Sequence, residues 1–272
     1  MAHFQSPTEQ LLVDLQDKVA VITLNRPEAR NALSNELTGA LRAAIAWAGE
    51  ASEVGGILLT GAGSAFCSGG DVKAMGARQA KAAPPSAHAQ FQEMRARHQE
   101  VAGALYALRK PTVAALPGPA AGAGMAIALS CDIRLAADSA FLSTAYARIG
   151  LSGDYGIAWL LSRVVGPGRA RQLMLTAERV PSARAYEMGL VNDVVPDAEL
   201  PDAAQALARK LANGPQVALA YMKDNLDEAL GIDHATAIER EADRLLKARS
   251  TSDHREAVRA FAEKREPNFT GE

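Results

Sequence analysis

The stretch from residue 117 to residue 136 constrains this chain more than any other: Pro117-Gly-Pro-Ala-Ala-Gly-Ala-Gly-Met-Ala-Ile-Ala-Leu-Ser-Cys-Asp-Ile-Arg-Leu-Ala136. It opens with small and helix-breaking residues, then continues as an apolar run, Met125 to Leu129, up to Ser130. Before it, Thr112-Val-Ala-Ala-Leu116 is short and apolar enough for a buried strand. The pattern predicts strand, glycine-rich turn, buried helix, then a second strand near Ile133 to Ala136. Gly122, Ala123 and Gly124 fall where that helix begins. A helix start carries unpaired N–H groups and the positive end of the dipole. Such a point can hold an anion or a developing oxyanion. Small residues also let a substrate carbonyl come close to the backbone. The same residues suit a helix that merely packs tightly on a sheet, and this stretch alone leaves both readings open.

The remaining chain sets limits on partners. Its 272 residues can bury a sizeable core as one large domain or two small ones. A net charge of -2 offers no basic surface, so no nucleic-acid partner is expected. The only two cysteines, Cys67 and Cys131, both in apolar segments, suggest buried thiols in a reducing compartment. Met1 to Asp17 lacks a cationic start followed by an apolar run, and no apolar stretch reaches about 18 residues. The expectation is a cytoplasmic protein without a membrane partner.

Taken in order, the sequence predicts strands over Leu11 to Gln16 and Val19 to Leu24, joined through Asp17 and Lys18. Ser34 is placed as the N-cap of a helix with the stripe Leu37, Leu41, Ile45 and Ala48. A strand over Gly55 to Thr60 leads into the glycine-rich loop Gly61 to Asp71. Neither this loop nor Gly122 to Ile127 completes G-x-G-x-x-G, and no P-loop lysine follows either, which speaks against a nucleotide site. Gly76 to Ala87 reads as a mobile connector, and Ala89 to Leu108 as one long amphipathic helix ended by Lys110-Pro111. A buried helix from Ile157 should stop at Gly166-Pro167-Gly168. Helices follow from Arg169, Ser182, Pro201, Pro215, Asp233 and Ser252. This is an α/β body with a helical C-terminal part.

Five blocks then stand out together: Ala65-Phe-Cys-Ser-Gly-Gly-Asp71, Lys110-Pro-Thr-Val-Ala-Ala, Cys131-Asp-Ile-Arg, Gly189-Leu-Val-Asn and Arg255-Glu-Ala-Val-Arg-Ala-Phe. In this order the chain resembles the crotonase (enoyl-CoA hydratase/isomerase) superfamily, over nearly its whole length. The resemblance implies a spiral of ββα units over residues 1–200 and a C-terminal helical region over residues 201–272 that helps form trimers, often paired into hexamers. It implies a coenzyme A thioester as substrate and no further cofactor. By the same resemblance the backbone N–H groups of Gly70 and Ala123 hold the thioester oxygen. Ala29, Arg30, Ser68, Gly69, Asp71 and Val72 are implied to line the coenzyme A channel, and Gly122, Ala126 and Tyr146 the acyl pocket.

One departure is informative. The two glutamates that position water in a typical hydratase of this family map onto Ala126 and Tyr146, so the ordinary acid/base pair is missing. A carboxylate occurs nearby as Asp154, where a subset of the family, the single-acid enoyl-CoA isomerases, carries one Asp or Glu. One base suffices to move a proton from C2 to C4. Read without the family, Asp154 is a turn residue or an N-cap ahead of Ile157. Tyr146 is read as a pocket wall, since a free tyrosine has a pKa of about 10. Asp71 is read as a loop former and Arg148 as a surface or interface charge. His3, His88, His98, His234 and His254 show no metal spacing, so no metal is expected. The leading expectation is a Δ3,Δ2-enoyl-CoA isomerase. The alternatives are a hydratase with an altered acid/base set, and a scaffold or RNA-binding member that has lost catalysis. A hydrolase using Ser68 or Cys67 is disfavoured because neither sits in G-x-S-x-G.

Overall fold

A computed structural model describes residues 4–71 and 86–272. Val72 and nearly all of the Gly76 to Ala87 connector lie outside the described residues. Strands β1 (Leu11–Gln16) and β2 (Val19–Leu24) form an antiparallel hairpin. Asp17 and Lys18 at its tip have φ 50° and 66°, the two positive values that match the twist of a tight hairpin. Helix α1 (Asn35–Glu50) starts where Ser34 Oγ accepts the Leu37 N–H at 3.0 Å, and its stripe from Leu37 to Ala48 is buried. Strand β3 (Gly56–Gly61) returns parallel to β2.

The expected single helix over 89–108 is three pieces: α2 (Ala87–His98), a π-helical turn (Gln99–Gly103) and α3 (Ala104–Ala107). The buried face expected of it is confined to the last two pieces, at Val101, Ala102 and Leu105, and α2 buries none of its residues. Strand β4 (Thr112–Leu116) is buried at every position, as its unbroken apolar run requires for a central strand of a parallel sheet. With β6 (Ile133–Ala137) and β9 (Asp193–Val195) it completes a six-stranded sheet in the order β1-β2-β3-β4-β6-β9.

A second, smaller sheet, which the sequence did not reveal, positions the site. It pairs β5 (Ala120–Ala121) with β7 (Phe141–Ser143) and β7 with β8 (Val180–Pro181). Isolated bridges from Cys67 to Ala120 and from Leu33 to Gly70 extend it through the glycine-rich loop. Directly after β5 comes α4 (Ala123–Leu129), all seven residues of which are buried.

Helix α5 (Ile157–Thr176) is interrupted as expected. Gly166 stands at φ 78°, ψ 162°, a conformation open to glycine, and Pro167 starts the second half. Helices α6 (Ser182–Glu187), α7 (Leu200–Ala212), α8 (Gln216–Ala229), α9 (His234–Arg249) and α10 (Ser252–Glu263) follow. Helix α7 lays Ala204, Ala208 and Ala212 against the main sheet, whereas α8 and α9 bury no residue fully. Among the described residues no helix is long and apolar enough to cross a membrane.

Candidate active site

Two backbone segments meet at the small sheet. Ala121 N–H donates to Cys67 O at 2.9 Å, and Cys67 N–H to Pro119 O at 3.1 Å, which ties the glycine-rich loop along β5. On the other side Leu33 N–H donates to Gly69 O at 2.8 Å, and Gly122 N–H to Ser143 O at 3.0 Å. The contact between loop and α4 is close. A methyl group placed on Gly124 would lie 2.2 Å from Cys67 O, so only glycine allows this approach. Ala123 N lies 3.5 Å from where a Cβ on Gly69 would stand. The first helical N–H of α4 therefore sits beside the turn that carries Gly70. Among the described residues no acceptor is bonded to the N–H of Gly70 or of Ala123. Unbonded donors of this kind are what a developing oxyanion needs.

Asp154 is not an N-cap. Its carbonyl accepts the Ile157 N–H at 3.0 Å, while Gly156 occupies the cap of α5 without any side-chain bond. The carboxylate turns the other way, where Tyr146 Oη donates to Oδ1 at 2.5 Å. Tyr146 is 4% exposed, and its Cε1 lies 3.9 Å from where a Cβ on Gly122 would stand. The sequence Gly69, Gly122, Tyr146, Asp154 is thus a chain of close neighbours. Burial raises the Asp154 pKa from its ordinary 3.8, and the Tyr146 hydrogen bond and the charge of His98 partly counter it. Burial and the same carboxylate push the Tyr146 hydroxyl upward, so it remains a proton donor.

The other expected positions are distributed as follows. Ala126 is fully buried one turn into α4, its N–H on Gly122 O at 3.1 Å. Asp71 takes the Arg26 guanidinium at 3.3 Å, and Arg26 also donates to Ala32 O at 2.6 Å, so the aspartate clamps its loop. Ala29 accepts from Ser68 Oγ at 3.4 Å. Arg30 and Ser68 line a cleft of about 490 Å³ with Arg148 and Arg179. Cys67 is buried with its pKa raised to about 12, too high for a thiolate nucleophile at neutral pH. Among the described residues no three His, Cys, Asp or Glu side chains are placed to hold a metal ion.

His98 is the neighbour that sequence reasoning missed. Its ring packs on Tyr155, the residue after Asp154, with centroids 4.2 Å apart. No spacing rule could have found it, because the contact joins α2 to a distant loop.

A mostly parallel six-stranded sheet, a second small sheet and a C-terminal set of helices define the crotonase class of fold. The sequence pattern of the enoyl-CoA hydratase/isomerase family matches residues 14–272, and the chain belongs to that family. The chain is similar to the protein of Escherichia coli K12 named 1,2-epoxyphenylacetyl-CoA isomerase, 36% identical with 97% of this chain and 99% of that one covered. It is similar to the short-chain-enoyl-CoA hydratase of Clostridium acetobutylicum, 34% identical with 94% and 95% covered. Among solved structures, an enoyl-CoA hydratase from Polaromonas sp. JS666 superposes with a TM-score of 0.88 at 30% identity, covering 96% of this chain and 99% of that one.

Proposed function

We propose that this enzyme shifts the double bond of an unsaturated acyl-CoA from C3 to C2, with Asp154 as its base. The carboxylate takes a proton from C2 of a 3-enoyl thioester, the charge passes to the thioester oxygen, and the N–H groups of Gly70 and Ala123 bond that oxygen. The resulting carboxylic acid returns the proton to C4. One oxyanion donor is worth roughly 3 to 4 kcal/mol, so the two donors suit an enolate pathway. The observation that carries this reading is the Asp154 carboxylate held by Tyr146, in a site whose two hydratase positions are Ala126 and Tyr146. The likeness to the Escherichia coli isomerase supports a ring-derived acyl group. In this reading Ala29, Arg30, Ser68, Gly69 and Asp71 flank the coenzyme A portion. Exposed apolar side chains on α8 to α10, Leu226, Leu246 and Phe261 among them, support assembly through the C-terminal helices.

Incubation with 3-enoyl-CoA and with 2-enoyl-CoA separates double-bond shift from hydration. Asp154→Asn should lower isomerase turnover at least about a hundredfold with little change in acyl-CoA affinity. Near-wild-type turnover of this variant would sink the assignment. The hydratase names of several relatives favour the second reading, an altered hydratase, which gains if the wild type only adds water to 2-enoyl-CoA.

A further inference from the structure

His98 closes α2 just before the π-helical turn Gln99–Gly103. A π turn adds one residue to a helical turn and re-aims the side chains around it, and such turns are frequent at functional sites. Here the imidazole lies on the buried ring of Tyr155, centroids 4.2 Å and planes 39° apart, beside Asp154. The carboxylate and the imidazole sense each other's charge. His98 is half-buried, so part of the residue meets solvent, and Gln99 and Glu100 next to it are exposed.

Other charged and ionisable groups pack around this pair. Arg97 is held by Glu93 at 2.7 Å, and Arg42 is paired with Glu100. The hydroxyls of Tyr146 and Tyr155 and the thiol of Cys67 are all pushed upward by burial. Burial lowers the His98 pKa, which leaves the imidazole neutral and able to accept a proton.

We propose that His98 is the second acid–base group of this site and carries the proton held on Asp154 out to solvent and back. The inference rests on the reading of Asp154 as the base. After C2 is deprotonated, Asp154 is a carboxylic acid. The imidazole takes that proton, directly or through one water, leaving a carboxylate and an imidazolium. The imidazolium passes the proton to water, and the reverse steps return a solvent proton to Asp154. The composition of the substrate is unchanged: one of its protons leaves to solvent and one solvent proton takes its place. With His98 the product acquires solvent hydrogen, and without it the substrate's own proton is handed back.

The test runs the enzyme in D2O with 3-enoyl-CoA and, separately, with phenylacetyl-CoA, whose C2 proton can exchange although its chain has no double bond to move. Deuterium in the recovered thioesters is read by mass spectrometry. Wild type should incorporate deuterium into both compounds. His98→Gln, and His98→Phe, which keeps a ring against Tyr155, should lower incorporation at least about tenfold while 3-enoyl-CoA is still converted. Variants that exchange like wild type, or a wild type that isomerises without incorporating deuterium, overturn the role of His98. Asp154→Asn separates the two readings. If it abolishes exchange and turnover while the His98 variants exchange normally, only the role of His98 falls. If it leaves both intact, the assignment of Asp154 falls and the role of His98 with it.

Discussion

Replacing Gly124 by alanine tests whether the seat of α4 on the glycine-rich loop sets the chemistry. The new methyl group would stand 2.2 Å from Cys67 O and 2.7 Å from Cys67 Cβ, where real Cβ atoms essentially never come under 3.0 Å. The obstacle is backbone, so rotamer changes cannot relieve it, and α4 and the loop must part by at least about 0.8 Å. That movement separates the Ala123 N–H from the turn bearing Gly70. A misplacement of about 1 Å in a reacting constellation costs on the order of a hundredfold in rate. Overpacking of a core contact costs about 1 to 3 kcal/mol of stability. Gly124→Ala should therefore lower kcat/KM for enoyl-CoA about a hundredfold or more and lower the melting temperature by several degrees. Gly39→Ala is the control. That exposed position in α1 has nothing within 4 Å of a new methyl group, and alanine there should stabilise by roughly 0.5 to 1 kcal/mol with unchanged turnover. Steady-state kinetics and thermal melts of both variants decide the matter. A Gly124→Ala enzyme with wild-type kcat/KM would show that the donors are not fixed by this contact.

Further outcomes follow from the Asp154 pair and the exposed helices. Because the folded state raises the Asp154 pKa above 3.8, the native protein holds this proton more tightly than the unfolded chain, and stability is lost as pH rises through the raised value. Asp154→Asn should melt higher than wild type at pH 8, with the difference shrinking as pH falls toward the ordinary carboxylate range; an equal or lower melting temperature at pH 8 refutes this. Tyr146→Phe removes a hydrogen bond that holds the Asp154 pKa down, so the acidic limb of kcat/KM should move to higher pH, and an unmoved limb contradicts the coupling. Light scattering at micromolar concentration should report a trimer or hexamer, since Leu226, Leu246 and Phe261 are 71%, 65% and 87% exposed on the C-terminal helices; a monomer contradicts that interface.

Much of the frame is written in local patterns. The apolar run Thr112 to Leu116 can only be a strand buried on both faces, and Ser34 marks a helix start through its own hydroxyl. Gly166-Pro167 breaks α5 for reasons confined to two residues. The small sheet is different. Its strands β5 and β8 are two residues long, too short to show any period, and exist because β7 lies between them and the loop at Cys67 alongside β5. The site divides along the same line. The backbone turns at Gly70 and Ala123 are visible as glycine-rich punctuation. Whether Asp154 caps α5 or faces inward depends on Tyr146 being buried within reach, and that is a tertiary fact. Asp71 likewise finds its partner, Arg26, only once two loops have met. The contact of His98 with Tyr155 depends on the phase of a helix interrupted by a π turn, which no hydrophobic pattern records.

That turn also buffers the site against a change in length. Removing one residue between Gln99 and Gly103 would close the wide turn to ordinary α-helix, and because the turn absorbs the extra residue, α2 would keep its face toward Tyr155. A second deletion in the same stretch, with no wide turn left to absorb it, would rotate α2 by about 100° relative to α3 and swing His98 away. A lineage can thus lose one codon here and keep an imidazole beside the carboxylate, with no change at Asp154, Gly70 or Ala123.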